Sequence, residues 1–303
     1  MRAAIVGTGM LGGAVAIRLL QRGHDVSVYN RTPAGADAAV AAGARRAGTP
    51  ADAARGSDVV LVAVRDAAAV RDVAFGESGI AAGAGGAVVA DLSTISPAES
   101  REVTARLAGL GVRRIDAPVM GGPDAAAEGR LVVMASGDMG AIDVCEPLLA
   151  DVSTRVFRLG GPGDACAIKL AMNMQITMLA LGLAEGINLV DRSGLDPGLF
   201  LEVLNSTYFA TGMSRGKAYR MAGGGQDPTF TLANLSKDIE TMLRAGREAG
   251  AAMPTTASAA GTYAGAVGAG LGGLDYTGII RHVSGGRLPR GPPGDRAARE
   301  TSK

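Results

Sequence analysis

The sequence predicts an α/β domain built on a largely parallel sheet, followed by an all-α C-terminal domain that a long interdomain helix joins to it. Three observations carry this. Short β-branched runs alternate with Ala-rich helical segments through the first half, as repeated βαβ units require. Strand-like runs cease near Gly163. From Ala165 to about Arg192 the chain reads as one uninterrupted helix, roughly 40 Å long at the α-helical rise, enough to leave one domain and cross the next.

The strand-like runs are Ala3–Val6, Asp25–Tyr29, Val59–Val64, Ala87–Leu92, Ile115 and Leu131–Met134. Val59 to Val64 is apolar without alternation, which fits a strand covered on both faces. Gly160-Gly161-Pro162-Gly163 marks the junction, giving domains 1–162 and 163–283. The long helix is expected to stop at Ser193-Gly194, and helices continue to about Val283. Residues 284–303 are rich in Gly, Pro and Arg; with so few apolar side chains they cannot offset their ordering entropy and are expected to be a disordered tail.

Composition excludes several classes of function. With 303 residues, 47% hydrophobic and 19% charged, the chain reads as soluble and globular. The formal net charge is +1, so no general field draws nucleic acid or an anionic membrane. Cys145 and Cys166 are the two cysteines, too few for a disulfide framework and wrongly spaced for metal, which suits a reducing cytoplasm. Glycines interrupt the apolar N-terminal run before a signal sequence could form. Met172 to Val190 has about membrane length but carries Asn173, Gln175, Glu185 and Asn188, so it reads as a buried helix. His24 and His282 are the two histidines, which rules out a histidine-based triad or metal site.

Gly7-Thr8-Gly9-Met10-Leu11-Gly12 follows the first strand and opens a helix. That context gives the G-x-G-x-x-G pattern its physical meaning: a tight turn, backbone approach to a pyrophosphate, and close helix–strand packing. The first domain is therefore expected to be a Rossmann domain with a dinucleotide at the helix N-terminus. Asn30-Arg31-Thr32 ends the second strand, 18 to 20 residues after Gly12. An acidic residue there would suit the ribose of NAD; arginine with two neutral polar neighbours suits a 2′-phosphate, so NADP is expected, with NAD the alternative. Arg31 could instead be a solvated loop residue. Val64-Arg65 leaves the third strand-like run, where Arg65 is either a loop charge or a cofactor contact. Thr94 follows a strand end and reads either as a contact near the nicotinamide ribose or as a helix cap, although Ser96 before Pro97 is the better cap.

With Ser93-Thr94, Asp116-Ala117-Pro118-Val119-Met120-Gly121-Gly122, Gly161-x-Gly163 leading to Lys169 and Asn173, Gly194-Leu195-Asp196, Phe230 with Lys237-Asp238, and Asp275, the chain resembles the β-hydroxyacid dehydrogenase family. That family includes 3-hydroxyisobutyrate dehydrogenases and semialdehyde and glyoxylate reductases. The resemblance covers about residues 1–283. It implies an active site between the two domains, a helical domain that forms a dimer or tetramer, and Lys169 as general acid/base. It places Asn173, Gly121, Gly122 and Lys237 around the substrate and nicotinamide. Many relatives have serine where this chain has Met120.

The residues support the same chemistry. Hydride transfer to a carbonyl leaves charge on oxygen, which Lys169 can stabilise and protonate. Asn173, four residues on, falls on the same helical face. Burial should lower the amine pKa towards working pH. The bland alternative is a solvated lysine on an apolar helix. Met120 cannot donate a hydrogen bond to a substrate; it either fills space in the pocket or points away as a packing residue. Gly121-Gly122 suit a backbone turn that presents N–H groups to a carboxylate. Lys237-Asp238 alone reads as ordinary helix surface. The expected function is an NADP(H)-dependent oxidoreductase interconverting a small β-hydroxy acid and its semialdehyde or keto form. An imine reductase and a non-catalytic dinucleotide-binding module are the alternatives, both disfavoured by Lys169. A decarboxylating phosphogluconate dehydrogenase is disfavoured by length.

Overall fold

The computed structural model describes residues 1–223 and 228–287, and the chain divides into two compact units, Met1–Ala171 and Met172–Lys303. The first unit holds strands β1 (Arg2–Val6), β2 (Asp25–Tyr29), β3 (Arg45–Arg46), β4 (Val59–Val62), β5 (Val88–Asp91), β6 (Arg114–Asp116), β7 (Val119–Met120), β8 (Leu131–Gly137) and β9 (Ser153–Arg158). Their order is β3-β2-β1-β4-β5-β6-β8-β7, with β9 also paired to β8. From β3 to β6 all pairs are parallel. β8 runs antiparallel to β6 and β7 and parallel to β9. This is the Rossmann architecture the sequence predicts. The strand order reverses between β1 and β4, and ligands bind outside the carboxyl ends of strands at such a point.

Alternation along each strand explains the unbroken apolar runs. In β1, Ala3 and Ile5 face one layer with Val15, Leu19, Val28, Leu61 and Ala90. Ala4 and Val6 face the other, with Val60, Val62, Val70, Val73, Ile80, Val103 and Leu107. Both faces are dry, so each large side chain contributes about 1.5–3 kcal/mol by leaving water. The first helix, Met10–Gln21, buries Gly12, Val15, Ala16 and Leu19 at helical spacing.

β3 and β9 lack an apolar signature, β7 is only the two residues Val119 and Met120, and none of the three was anticipated. Arg45 and Arg46 are exposed, and β9 reads Ser-Thr-Arg-Val-Phe-Arg with no fully buried residue. β4 stops at Val62 rather than at Val64, because Ala63 to Arg65 leave the sheet and line a cavity. β8 runs on to Gly137 through small residues that pair with β6.

The second unit is helical, as predicted; among its described residues the only β pairing is an isolated bridge between Thr231 and Asp275. Its principal helices are the later part of Asp164–Arg192, then Pro197–Asn205, Leu232–Glu248 and Pro254–Ala266. The long helix ends where Gly194 takes φ +81°. Leu232–Glu248 buries Leu232, Leu235, Asp238, Ile239 and Met242 on one stripe, so a carboxylate sits within an apolar face. The hydroxyl of Tyr263 donates to the carbonyl of Thr177 (3.0 Å), tying Pro254–Ala266 to the long helix. Of the tail read from 284 onwards, Ser284 is buried and its carbonyl accepts from Arg192 Nη2 at 2.9 Å; residues 288–303 lie outside the described residues. Among the described residues, Asp164–Arg192 is one helix long and apolar enough to cross a membrane by length and composition, and a third (33%) of its most apolar window is buried.

Candidate functional site

The glycine turn is held from beneath. Gly7 N–H donates to the Tyr29 carbonyl (2.8 Å) and Thr8 N–H to Asn30 Oδ1 (3.1 Å), joining the turn to the end of β2. Asn30 Nδ2 donates to the Thr32 carbonyl at 2.8 Å, so the Asn30 side chain braces both loops. The three glycines have three separate reasons to be glycine. Gly7 has φ +97°, and a Cβ there would lie 2.4 Å from the Ala63 carbonyl oxygen. A Cβ on Gly12 would lie 2.0 Å from the Gly7 carbonyl oxygen. A Cβ on Gly9 would meet nothing within 4 Å, so Gly9 keeps open a space beside the helix N-terminus, where backbone N–H groups lack intrahelical partners. The buried Thr8 hydroxyl also has no protein partner. An open cradle, unmet N–H groups and an unmet hydroxyl fit a bound pyrophosphate.

A cavity of about 450 Å³ opens at this point, lined by Gly7, Gly9, Asn30, Arg31, Thr32, Val64 and Arg65 among others. Arg31 and Thr32 are exposed to it, and no ion pair engages Arg31 among the described residues. Asp72 and Glu77 line another part of the wall. Arg65 Nε lies 3.9 Å from Asp66. Val64 N–H donates to Ser93 Oγ at 3.1 Å, which fixes the loop as it leaves β4. Met10 is exposed and Leu11 half-buried, and Leu11 packs on the core. Ser96 caps the helix Pro97–Gly109 in a capping box with Glu99, so Thr94 is not that helix's cap.

Lys169 is positioned by a buried ionic node that the sequence did not disclose as such. Arg114 pairs with Asp91 (2.7 Å) and Asp116 (2.8 Å), all three side chains being 1% exposed. Burial opposes the Arg114 charge, but the two carboxylates outweigh it and hold the guanidinium above its ordinary pKa. Asp116 accepts from Ser100, from Ser136 (3.1 Å) and from the backbone N–H of Gly163 (2.7 Å). Ser136 Oγ in turn accepts from Ala165 N–H at 3.1 Å. The first turn of the long helix is thus bonded to the end of β6, and Lys169 follows within it. Burial and then the Asp116 charge push the Cys166 thiol well up, so Cys166 packs as a neutral group. Lys169 is half-buried and its Nζ donates to Met120 Sδ at 3.3 Å. Met120 therefore does not point away. Gly121 adopts φ +118°, and Gly122 caps a five-residue helix, Pro123–Ala127.

In the second unit Asn173 is buried (1% exposed) and its Nδ2 donates to Asp238 Oδ2 at 2.7 Å. Because a carboxylate only accepts, this bond fixes the carboxamide, leaving Oδ1 as an acceptor with no protein partner. Lys237 Nζ lies 2.6 Å from Asp238 Oδ1. Asp238 is the functional candidate that sequence reasoning missed; it falls three residues after Leu235 on the buried stripe, where a polar residue breaks the apolar pattern. The reading of Lys237-Asp238 as surface is corrected for Asp238, which is 1% exposed.

A Rossmann sheet with an open pyrophosphate cradle defines a dinucleotide-binding protein, and the relatives below make the class an NAD(P)-dependent oxidoreductase. Residues 2–161 match the NAD binding domain of 6-phosphogluconate dehydrogenase, and residues 163–283 the NAD-binding domain of NADP-dependent 3-hydroxyisobutyrate dehydrogenase. The chain is 30% identical to glyoxylate/succinic semialdehyde reductase 1 of Arabidopsis thaliana over 93% of its own length and 98% of the relative's. A 3-hydroxyisobutyrate dehydrogenase from Salmonella typhimurium superposes with TM-score 0.85 at 27% identity, over 93% of this chain and 99% of that one. Psf3, solved in complex with NADP+ and 2-OPP, superposes with TM-score 0.85 at 26% identity, over 93% of this chain and 100% of that one. The chain belongs to the β-hydroxyacid dehydrogenase family, whose members are NAD(P)-dependent oxidoreductases acting on hydroxyacid-like substrates.

Proposed function

We propose that this protein is an NADP(H)-dependent oxidoreductase that interconverts a small β-hydroxy acid and its semialdehyde or keto form, with Lys169 as general acid/base. The observation that carries the reading is Lys169 itself, a half-buried lysine on a helix whose first turn is bonded to Asp116 and Ser136. When bound, NADP(H) supplies or accepts the hydride. In reduction the Lys169 ammonium hydrogen-bonds the substrate carbonyl oxygen, stabilises the charge that develops there and donates its proton; in oxidation the neutral amine withdraws the hydroxyl proton. In the second unit, Asn173 keeps an unmet acceptor in Oδ1 while Asp238 holds its carboxamide and Lys237 balances the Asp238 charge, which supports its reading as a site residue.

The preference for NADP rests on Arg31 and Thr32 at the end of β2, where a dianionic 2′-phosphate meets a guanidinium and a hydroxyl. Psf3, a relative solved with NADP+, adds to that support. The exposed side chains of Leu189, Leu195, Leu199 and Val203, 58–68% accessible on the second unit, support a homo-oligomer in which a further copy covers them; light scattering that finds only monomer at micromolar concentration argues against it. The reaction is tested by following NADPH oxidation with small semialdehydes, 2-oxo acids and cyclic imines. Turnover of an oxo acid or semialdehyde is expected, and turnover of imines alone overturns the reading.

A further inference from the structure

Two parts of the first unit have to keep a fixed register for the proposed reaction: the loop that leaves β4 and lines the cofactor cavity at Val64, and the helical turn that carries Lys169. One run of hydrogen bonds joins them. Val64 N–H donates to Ser93 Oγ (3.1 Å), and Ser93 N–H donates to Asp91 Oδ1 (2.9 Å). Asp91 Oδ2 and Asp116 Oδ1 take the two ends of the Arg114 guanidinium at 2.7 and 2.8 Å. Ser136 Oγ donates to Asp116 Oδ2 and accepts from Ala165 N–H, both at 3.1 Å. In the α-helix that begins there, the Ala165 carbonyl accepts the backbone N–H of Lys169.

Ser136 is the link through which this run enters the helix. It faces Asp116 across the antiparallel pair β6–β8 and is fully buried, as is Ala165. N–H groups in the first turn of a helix have no intrahelical carbonyl to bond, so a buried one needs an acceptor from outside the helix. For Ala165 that acceptor is Ser136. The start of the helix has one other bond to the node, from Gly163 N–H to Asp116 Oδ2 (2.7 Å). A single bond leaves a pivot, at a glycine with φ +95°; the second bond fixes the direction in which the turn leaves it. Without the Ser136 hydroxyl the node itself survives, because Arg114 keeps both carboxylates and Asp116 keeps Ser100 and Gly163. What is lost is the aim of the helical turn.

We propose that Ser136 is a positioning residue for the reaction: its hydroxyl orients the turn that carries Lys169 and holds it in register with the cofactor-cavity wall at Val64. The proposal rests on the reading of Lys169 as acid/base, and Ser136 acts only through that residue. Displacement of a reacting group by about 1 Å costs on the order of a hundredfold in rate, while the cavity walls, and with them cofactor affinity, stay as they were.

Reduction of 2-methyl-3-oxopropanoate by the full-length protein, with NADPH affinity measured by fluorescence titration, separates positioning from general stability. Ser136→Ala should lower kcat about tenfold to a hundredfold, with the Kd for NADPH within about twofold of wild type. Because the hydroxyl acts through Lys169, adding Ser136→Ala to Lys169→Met should change the residual rate by less than about twofold, whereas a purely structural loss multiplies through both backgrounds. Ser136→Cys, close in shape but a weak donor and acceptor, carries the same expectations if the alanine variant does not fold. A folded variant with kcat within about twofold of wild type overturns the proposal. So does a loss of NADPH affinity as large as the loss of kcat, or an equal fold-loss in the Lys169→Met background. If any of these occurs while Lys169→Met by itself is slow, the positioning role alone fails. If Lys169→Met by itself keeps a rate within about tenfold of wild type, the reading of Lys169 fails and the proposal with it.

Discussion

Replacing Gly9 by alanine should abolish tight NADPH binding without unfolding the protein. Gly9 has φ −64° and ψ −168°, extended backbone open to any residue, and its added Cβ meets no protein atom within 4 Å. Reduced freedom in the unfolded chain stabilises a Gly→Ala change at a compatible site by about 0.4–1 kcal/mol. Loss of glycine at an N-cap costs a similar few tenths to 1 kcal/mol. The net stability change is therefore within about 0.5 kcal/mol, a Tm shift of at most about 2 °C for a unit of this size. Binding should respond very differently, because the methyl group enters the open space beside the helix N-terminus into which the turn's N–H groups point. Each charge-assisted hydrogen bond so lost is worth about 1.5–3 kcal/mol, or roughly tenfold to hundredfold in Kd. Titration of NADPH fluorescence measures the loss. Gly12→Ala is the contrasting control, since its Cβ would sit 2.0 Å from the Gly7 carbonyl oxygen and should destabilise the fold itself. Folded Gly9→Ala that binds NADPH within twofold of wild type refutes the cradle.

Arg31→Glu should raise the Michaelis constant for NADPH about tenfold or more relative to that for NADH, because it replaces a cation with an anion at the 2′-phosphate; steady-state kinetics with both cofactors checks this. Arg114→Met leaves Asp91 and Asp116 buried without their counter-charge and should cost about 3–5 kcal/mol in urea unfolding at neutral pH. Asp275 gives a pH signature to the second unit: burial raises its carboxyl, but the Thr229 N–H, Lys217 and Thr277 together hold it below its ordinary 3.8. A depressed folded pKa contributes stability that is fully present above the unfolded value and is lost as pH falls through the folded one. Melting curves of wild type and Asp275→Asn should therefore differ most above about pH 4 and converge in more acidic solution.

The parallel sheet was legible because its strands are covered on both faces. Asp25–Tyr29 was read to the residue, and the long helix to within one residue at its start, Asp164 rather than Ala165. β3 and β9 were illegible because edge strands with solvated arginines carry no apolar signal. β7 was hidden in the Pro118–Gly122 segment, whose glycines suggested only a turn. Gly7, Gly9 and Gly12 were legible as a motif, but their three distinct steric reasons needed the positions of Ala63 and of the Gly7 carbonyl. Lys169 and Asn173 were singled out through the family resemblance, and their spacing of four added only that both lie on one helical face. The Asp91–Arg114–Asp116 node that fixes the lysine was not legible, since it joins residues of two strands with Ser100, Ser136 and Gly163 over a sequence range no local pattern spans. Met120 raised the question of whether its side chain meets the site, and only the 3.3 Å approach to Lys169 answered it.

The central claim, hydride transfer assisted by Lys169, is tested most directly by reducing 2-methyl-3-oxopropanoate with NADPH deuterated at the transferable C4 position and reading the product by NMR. Deuterium at the carbinol carbon of the hydroxy acid is expected in wild type. In Lys169→Met the rate of its appearance should fall by about a hundredfold to ten-thousandfold while the Kd for NADPH is retained. Product without deuterium, or a Lys169→Met rate within tenfold of wild type, contradicts the account.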